Sequence, residues 1–326
     1  MLMRSSVLRA SALRYAQQPA FRNGVVAAQP LIFEQQRTAV SLKELKNRMV
    51  TIKTIQKITS SMNKLATSRL KAAREKKENL AEPFLDINMG FLKGKGMEEF
   101  DGAELVPVKE KELFIIVSTD RGMCGATNSG IIRNVRSLLT ESRNTSEVTI
   151  AIAGSKGASG LRRDYGKMFH TSVEELGKKH LSFVDVEPLV EIFDEVTDYD
   201  RVRIIGNQWI SVVASRIMHR MLPNPKNMVD EMKDAYYGYE YDGTDEEELF
   251  KNLQEHLAAC ILYGSLIENN AVELAARMNS MDNATNNASD MHNKLSLLFN
   301  RTRQAGITTE LSEIISGAAS VAEQDA

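Results

Sequence analysis

Residues 41–82 contain neither proline nor glycine, and their apolar positions fall three or four apart, at Leu42, Leu45, Met49, Ile52, Ile55, Ile58, Met62 and Leu65. This period predicts one long amphipathic helix. Ser41, with Glu44 three residues on, predicts a capping-box start, and Pro83 a stop. The other end of the chain carries a longer pattern. From Leu253 an alternation of four and three runs through Leu257, Cys260, Gly264, Ile267, Ala271, Leu274, Met278, Met281, Thr285, Ala288, His292, Leu295 and Phe299 to Thr302, and eleven of these fifteen positions are apolar. A period of about 3.5 residues sustained this far is a coiled-coil seam, which implies left-handed supercoiling with a partner helix. A helix from Asp245 to Val321 reaches on the order of 110 Å, far more than a domain is wide, so it must protrude. Gly264, Gly306 and Gly317 mark bends or close approaches within it. Small residues at Thr285 and Ala288 let a partner backbone come near, and His292 reads as a hydrogen-bonded seam histidine. The natural mate of one terminal helix is the other, which requires the middle of the chain to return so that the pair closes antiparallel.

Between roughly Leu105 and Pro225 the period changes. LFIIVST (113–119), VTIAIAG (148–154) and RVRIIGNQWI (201–210) read as buried strands, with a weaker strand ahead of a helix around 186–196. Helices are expected around 127–140 and 156–164, and Tyr236–Tyr241 is a candidate edge strand. Strands alternating with helices predict an α/β unit with a largely parallel, Rossmann-like sheet. The expected organisation is therefore a mixed α/β chain: a helical segment at 38–100, an α/β head at 101–244, and a second coiled-coil helix at 245–326.

Charge changes the picture at the N-terminus. Residues 1–37 hold five arginines, no lysine and one acid, Glu34, and are rich in alanine and serine. That composition predicts a mitochondrial presequence that is removed and takes no part in the fold. Between Lys43 and Ala81 eleven basic residues stand against three acids, so the first helix is expected to face an acidic protein surface. Nucleic acid is not expected, since this helix has no aromatic residue to stack on bases and the whole chain carries a formal charge of −2. No apolar run reaches the roughly 18–20 residues of a membrane span.

Chemistry is sparse. The chain lacks the phosphate-loop motif, and Gly154, Gly157 and Gly160 do not make G-x-G-x-x-G, so ATP binding is not expected. No cofactor or metal site is expected, and Cys124 and Cys260 form no ligand pair. The sharpest local feature is D-R-G-M-C-G-A-T-N, residues 120–128, at a strand-to-helix turn. Cys124 there has the position of a nucleophile activated by a helix N-terminus, although the second glycine, Gly125, comes one residue too early for an amidotransferase turn. Gly122 and Gly125 are also explained by a tight turn, with Asp120 and Arg121 as polar caps. From the residues alone a coiled-coil scaffold and a thiol amidotransferase both stay open.

Three segments together resemble the gamma subunit of F-type ATP synthase. L-K-N-R-M-V-T-I-K-T-I-Q-K-I-T-S-S-M (45–62) is similar to that family's first helix, and S-T-D-R-G-M-C-G-A-T-N-S (118–129) to its central turn, with Ala126 where a further glycine is usual. E-N-N-A-V-E-L-A-A-R-M-N-S-M-D-N-A-T-N-N-A (268–288) and R-Q-A-G-I-T-T-E-L-S-E-I-I-S-G-A-A-S-V (303–321) resemble its last helix and are the most specific. The chain extends this pattern by AEQDA and lacks the cysteine pair of the chloroplast members. The resemblance implies a non-catalytic rotor in the central stalk, at the matrix side of the mitochondrial inner membrane. It implies as partners the alpha and beta subunits of the catalytic hexamer, the delta and epsilon stalk subunits and the membrane c-ring. It also implies that Met62, Arg277, Gln304 and Thr308 touch the catalytic ring.

Overall fold

The computed structural model describes residues 41–81, 83, 85, 98–101, 111–141, 147–176, 181–196, 198–224 and 246–324. The expected presequence and the candidate strand Tyr236–Tyr241 lie outside them. The centre of the fold is strand β2 (Glu112–Val117), whose Leu113 to Val117 are fully buried because both its faces and both its edges are covered. It pairs in parallel with β3 (Val148–Ala153) on one side and with β5 (Arg201–Trp209) on the other. β4 (Phe169–Val173) extends the sheet parallel to β3, with a register shift at Ile150. These strands are the β-branched runs the sequence presents, as expected where a parallel sheet is buried on both faces.

Two further strands complete a six-stranded sheet in the order β1-β6-β5-β2-β3-β4. β6 (Ser215–Pro223) folds back antiparallel on β5, and β1 (Glu98–Asp101) lies antiparallel to β6. Neither is legible as a strand in the sequence. β6 reads S-R-I-M-H-R-M-L-P, and its Arg216, His219 and Arg220 look like surface positions, yet His219 and Arg220 are buried. Tertiary partners make this possible: the His219 ring nitrogen lies 2.7 Å from Asn134 Oδ1, and Arg220 donates to Ser265 and Glu268.

Helices cover both faces. α2 (Thr127–Glu141) and α3 (Ser155–Tyr165) lie on one, where Ile131, Val135, Leu138 and Leu161 meet Phe114, Ile116, Ile150 and Ile152. α3 sits very close to the sheet, because Gly157 donates its N–H to Ser118 Oγ at 3.0 Å and a Cβ there would stand 2.4 Å from that oxygen. The other face carries two one-turn helices, α4 (Glu187–Val190) and α5 (Ile192–Glu195), after a 3-10 turn at Phe183–Val186. The single helix expected around 186–196 is thus broken, and its Pro188 occupies a first turn, where the missing N–H matters least.

The long helices form as their periods predict. α1 (Leu42–Lys76) starts with Ser41 Oγ accepting the Glu44 N–H at 3.2 Å, while the Glu44 carboxylate turns to Arg48, 2.6 Å away. It ends in a wide π turn, Lys77–Ala81, that carries Lys77 and Ala81 inward. α6 (Glu246–Gln324) has 79 residues, a length of about 120 Å. Leu70 packs on Leu274 and Ala275, Asn63 donates to Asp282 at 3.1 Å, and Thr285 donates to Thr59 at 2.8 Å. Numbers rise along α1 as they fall along α6, so the pair is antiparallel, as expected. Thr285, Ala288 and His292 all lie toward the seam, but the half-buried His292 makes no hydrogen bond among the described residues, being open to water.

One part of the seam has a different partner from the one its period suggests. Leu257 to Asn269 is buried all round, because this stretch lies across the sheet. Its Leu257, Ala258, Ile261, Leu262, Leu266 and Ile267 pack against Leu113, Ile115, Val117, Val202 and Ile204. Gly264 is a close approach: a Cβ there would stand 2.8 Å from Leu85 Cγ. At Gly306 and Gly317, the helix's own backbone aside, no described residue comes within 4 Å of where a Cβ would stand, so neither marks a close approach among the described residues.

Candidate functional site

The parallel strands run in the order β4-β3-β2-β5, so the chain reverses direction across the sheet between β2 and β5. Doubly wound sheets bind ligands in the crevice outside the carboxyl ends of the strands at such a point. Here the crevice is filled by the chain's own long helix. Asn269 on α6 donates to the Ser118 carbonyl at the end of β2 at 3.0 Å and accepts from Asn207 on β5 at 2.8 Å. One residue earlier, Glu268 accepts the Trp209 N–H at 2.9 Å and faces Arg220 NH2 at 3.2 Å, while Arg220 NH1 donates to Ser265 at 2.9 Å. All of these side chains are buried except that of Trp209, which is partly so. Burial pushes the Glu268 carboxyl above the usual carboxylate range, against the pull of Arg220 and of the Trp209 N–H.

The 120–128 turn stands beside this crevice. Gly125 and Met123 both have positive φ, +61° each, so the tight turn is built on one glycine and one strained methionine; Gly122 does not need its glycine for that reason. Asp120 caps α3, not the helix that follows it, by accepting the Ser155 N–H at 2.9 Å. Asn128 closes the loop: its side chain accepts the Thr119 N–H at 3.1 Å and lies 3.3 Å from Cys124 Sγ.

Cys124 is 2% exposed. Burial first, and then the Glu273 carboxylate nearby, push its thiol above its ordinary pKa, the reverse of what a nucleophile needs. This geometry disfavours the amidotransferase reading. Native protein at pH 8 is expected to lose Cys124 to iodoacetamide at less than about a tenth of the rate of the unfolded chain, followed by mass spectrometry. Equal rates would show that the turn opens freely. Among the described residues no cluster of three metal-ligating side chains occurs, and no helix is long and apolar enough to cross a membrane.

The four residues singled out from the sequence are not gathered into one site. Arg277 lies at the root of the shaft, mostly buried, paired with Glu273 and donating to the Gly122 carbonyl at 3.3 Å. Met62 is half-buried on α1, and Gln304 and Thr308 are exposed on α6, about 40–47 Å along the helix from Arg277. The Thr308 hydroxyl donates to the Gln304 carbonyl at 3.0 Å. Past the paired region α6 exposes Ile307, Leu311, Ile314 and Ile315. Sequence reasoning missed Asn207, Arg220, Glu268 and Asn269. Their only signal is polar residues placed inside otherwise apolar patterns.

A doubly covered α/β head whose ligand crevice holds its own protruding two-helix shaft defines a stalk-type protein. The family described as ATP synthase matches residues 41–321. The chain is 38% identical to the mitochondrial ATP synthase F(1) complex subunit gamma of Rattus norvegicus, over 86% of this chain and 99% of that one. It is 33% identical to the corresponding Dictyostelium discoideum protein, over 92% of this chain and 97% of that one. The rotor of the Euglena gracilis mitochondrial ATP synthase shares the fold, with a TM-score of 0.68 at 18% identity, covering 82% of this chain and 98% of that one. The chain belongs to the ATP synthase gamma-subunit family.

Proposed function

We propose that this protein is the central-stalk rotor of a mitochondrial F-type ATP synthase, coupling rotation of a proton-driven membrane ring to ATP synthesis in a catalytic hexamer and doing no chemistry itself. The observation that carries this reading is the shaft. Two unlike helices lie antiparallel, one of them continues far past the other, and both are rooted in the head. Such a pair is stiff and asymmetric, so it presents a different face to each of several surrounding sites. The shaft is α1 with the part of α6 beyond Asn269; the first turns of α6 are anchored in the head, and so is β1, which moves the head's start ahead of the boundary expected at 101.

The expected partners are alpha and beta subunits around the shaft, and delta and epsilon subunits and the c-ring at the head, on the matrix side of the inner membrane. The basic face of α1 suits carboxylates on the ring. Met62, Gln304 and Thr308 offer one soft apolar contact and two neutral hydrogen-bonding side chains that can be remade at successive angles. Arg277 reaches the ring only with the guanidinium face left over from Glu273 and Gly122. The exposed apolar end around Ile314 suits an apolar sleeve in which few fixed hydrogen bonds resist turning.

The test is a cysteine at exposed Asn283 on the shaft, paired by oxidation with one on the facing catalytic subunit of the assembled complex. Oxidation is expected to stop ATP hydrolysis and reduction to restore it. Undiminished multi-site turnover in the fully cross-linked complex would leave a static scaffold as the better reading.

A further inference from the structure

The stretch of α6 that lies across the sheet meets it almost entirely through apolar side chains: Leu257, Ala258, Ile261, Leu262, Leu266 and Ile267. Apolar burial is non-directional, so it holds the helix to the sheet and discriminates weakly between neighbouring rotations about the helix axis. The exception is the single turn Ser265–Asn269, which three strands grip, β2 and β5 near their carboxyl ends and β6 from its middle. β2 does so through the Ser118 carbonyl, β5 through Asn207 and the Trp209 N–H, and β6 through Arg220. Arg220 and Glu268 are 3% and 5% exposed, and a buried ion pair of this kind adds little stability over apolar residues of the same shape. What such groups do add is register, because a half-turn error would leave a charge and several hydrogen-bonding groups unpaired in the interior. The grip also lies at a particular place. One turn further on, α6 leaves the sheet: Val272 and Ala275 are still covered beside Trp209 and Val212 at the β5–β6 turn, and farther along the buried positions thin out to Met281 and Ala288 on the seam.

We infer that Arg220, Glu268, Asn207 and Asn269 form a polar key that fixes the angular and axial register of the shaft relative to the head. These are positioning residues. The inference rests on the rotor reading for its consequence, since an asymmetric shaft delivers its faces in phase with the head only if that angle is unique. The key occupies the crevice at the β2/β5 reversal, so the long helix takes the place a diffusible ligand has in related sheet architectures.

The experiment uses the assembled complex with spin labels on cysteines introduced at exposed Arg163 in the head and exposed Asn287 on the shaft, the buried native thiols being left in place. Pulsed electron-spin distance measurement reads the width and centre of the head-to-shaft distribution. R220M/E268L, which replaces the charges by apolar groups of similar size, is expected to broaden that distribution about twofold or shift its centre, with thermal stability of the complex little changed. E268Q keeps the Trp209 contact but sets an amide N–H group against the Arg220 guanidinium in place of a carboxylate oxygen, so it is expected to broaden the distribution as well and, unlike R220M/E268L, to lower thermal stability. An unaltered distribution in an assembled R220M/E268L complex overturns the inference. If that variant yields no complex, N269L, which removes only the neutral link, is read the same way, and an unaltered width again overturns it. Broadening combined with full turnover in the cross-linked complex keeps the key and removes the rotor reading, so the two fail separately.

Discussion

Glu112→Ala is expected to destabilise the free protein by roughly 3–5 kcal/mol, the cost of removing a buried carboxylate that takes two bonds from a buried guanidinium. Arg203 on β5 is 0% exposed and meets Glu112 on β2 through two bonds, Nε to Oε2 at 2.7 Å and NH2 to Oε1 at 3.1 Å. Its guanidinium carbon lies 5.4 Å from the centre of the Phe114 ring, so it cannot swing to water without unpacking the sheet. The pair ties the amino ends of two parallel strands, away from the crevice that holds the shaft. The double variant Glu112→Leu with Arg203→Met removes both charges together and is expected to be within about 1 kcal/mol of wild type or more stable. Urea unfolding of the three proteins checks this. A single variant as stable as wild type would mean that water reaches the pair.

Leu274→Asp should separate the two helices of the shaft. Leu274 is 9% exposed and packs with Leu70 and Ala275, backed by Met278 and Trp209. A carboxylate there has no cation among these neighbours, so it costs several kcal/mol or takes up a proton. The pair beyond this level has no sheet behind it, and assembly with the catalytic subunits is expected to fail before the head unfolds. Leu297, on the same helix but 72% exposed, is the control: Leu297→Asp is expected to change the stability of the free protein by less than about 0.5 kcal/mol. Co-purification and thermal unfolding read both. Equal behaviour of the two variants would refute the seam.

Both long helices and strands β2, β3 and β5 are legible in the sequence because their signals are local. Helical hydrogen bonds close within four residues, so a period of three and four from Leu42 to Leu65 or from Leu253 to Thr302 already states which face is buried. Fully covered strands such as LFIIV likewise announce themselves as unbroken β-branched runs. The family could also be read there, since its motifs lie within single elements. A period does not state what covers the buried face. Only the tertiary structure decides that Leu257–Asn269 lies across a sheet and that the seam passes to α1 beyond it. β6 was hidden for a related reason: an arginine or histidine reads as surface until its partner is known. Arg220 has its partner at Glu268 and His219 at Asn134, each far away in the chain. The same separation concealed the polar key. Asn207, Arg220, Glu268 and Asn269 mean little one by one, and their shared geometry exists only once three strands and one helical turn have been brought to the same crevice. A buried polar group is tolerated only where folding supplies its partner, and pairing between distant residues is the part of the structure that local pattern cannot encode.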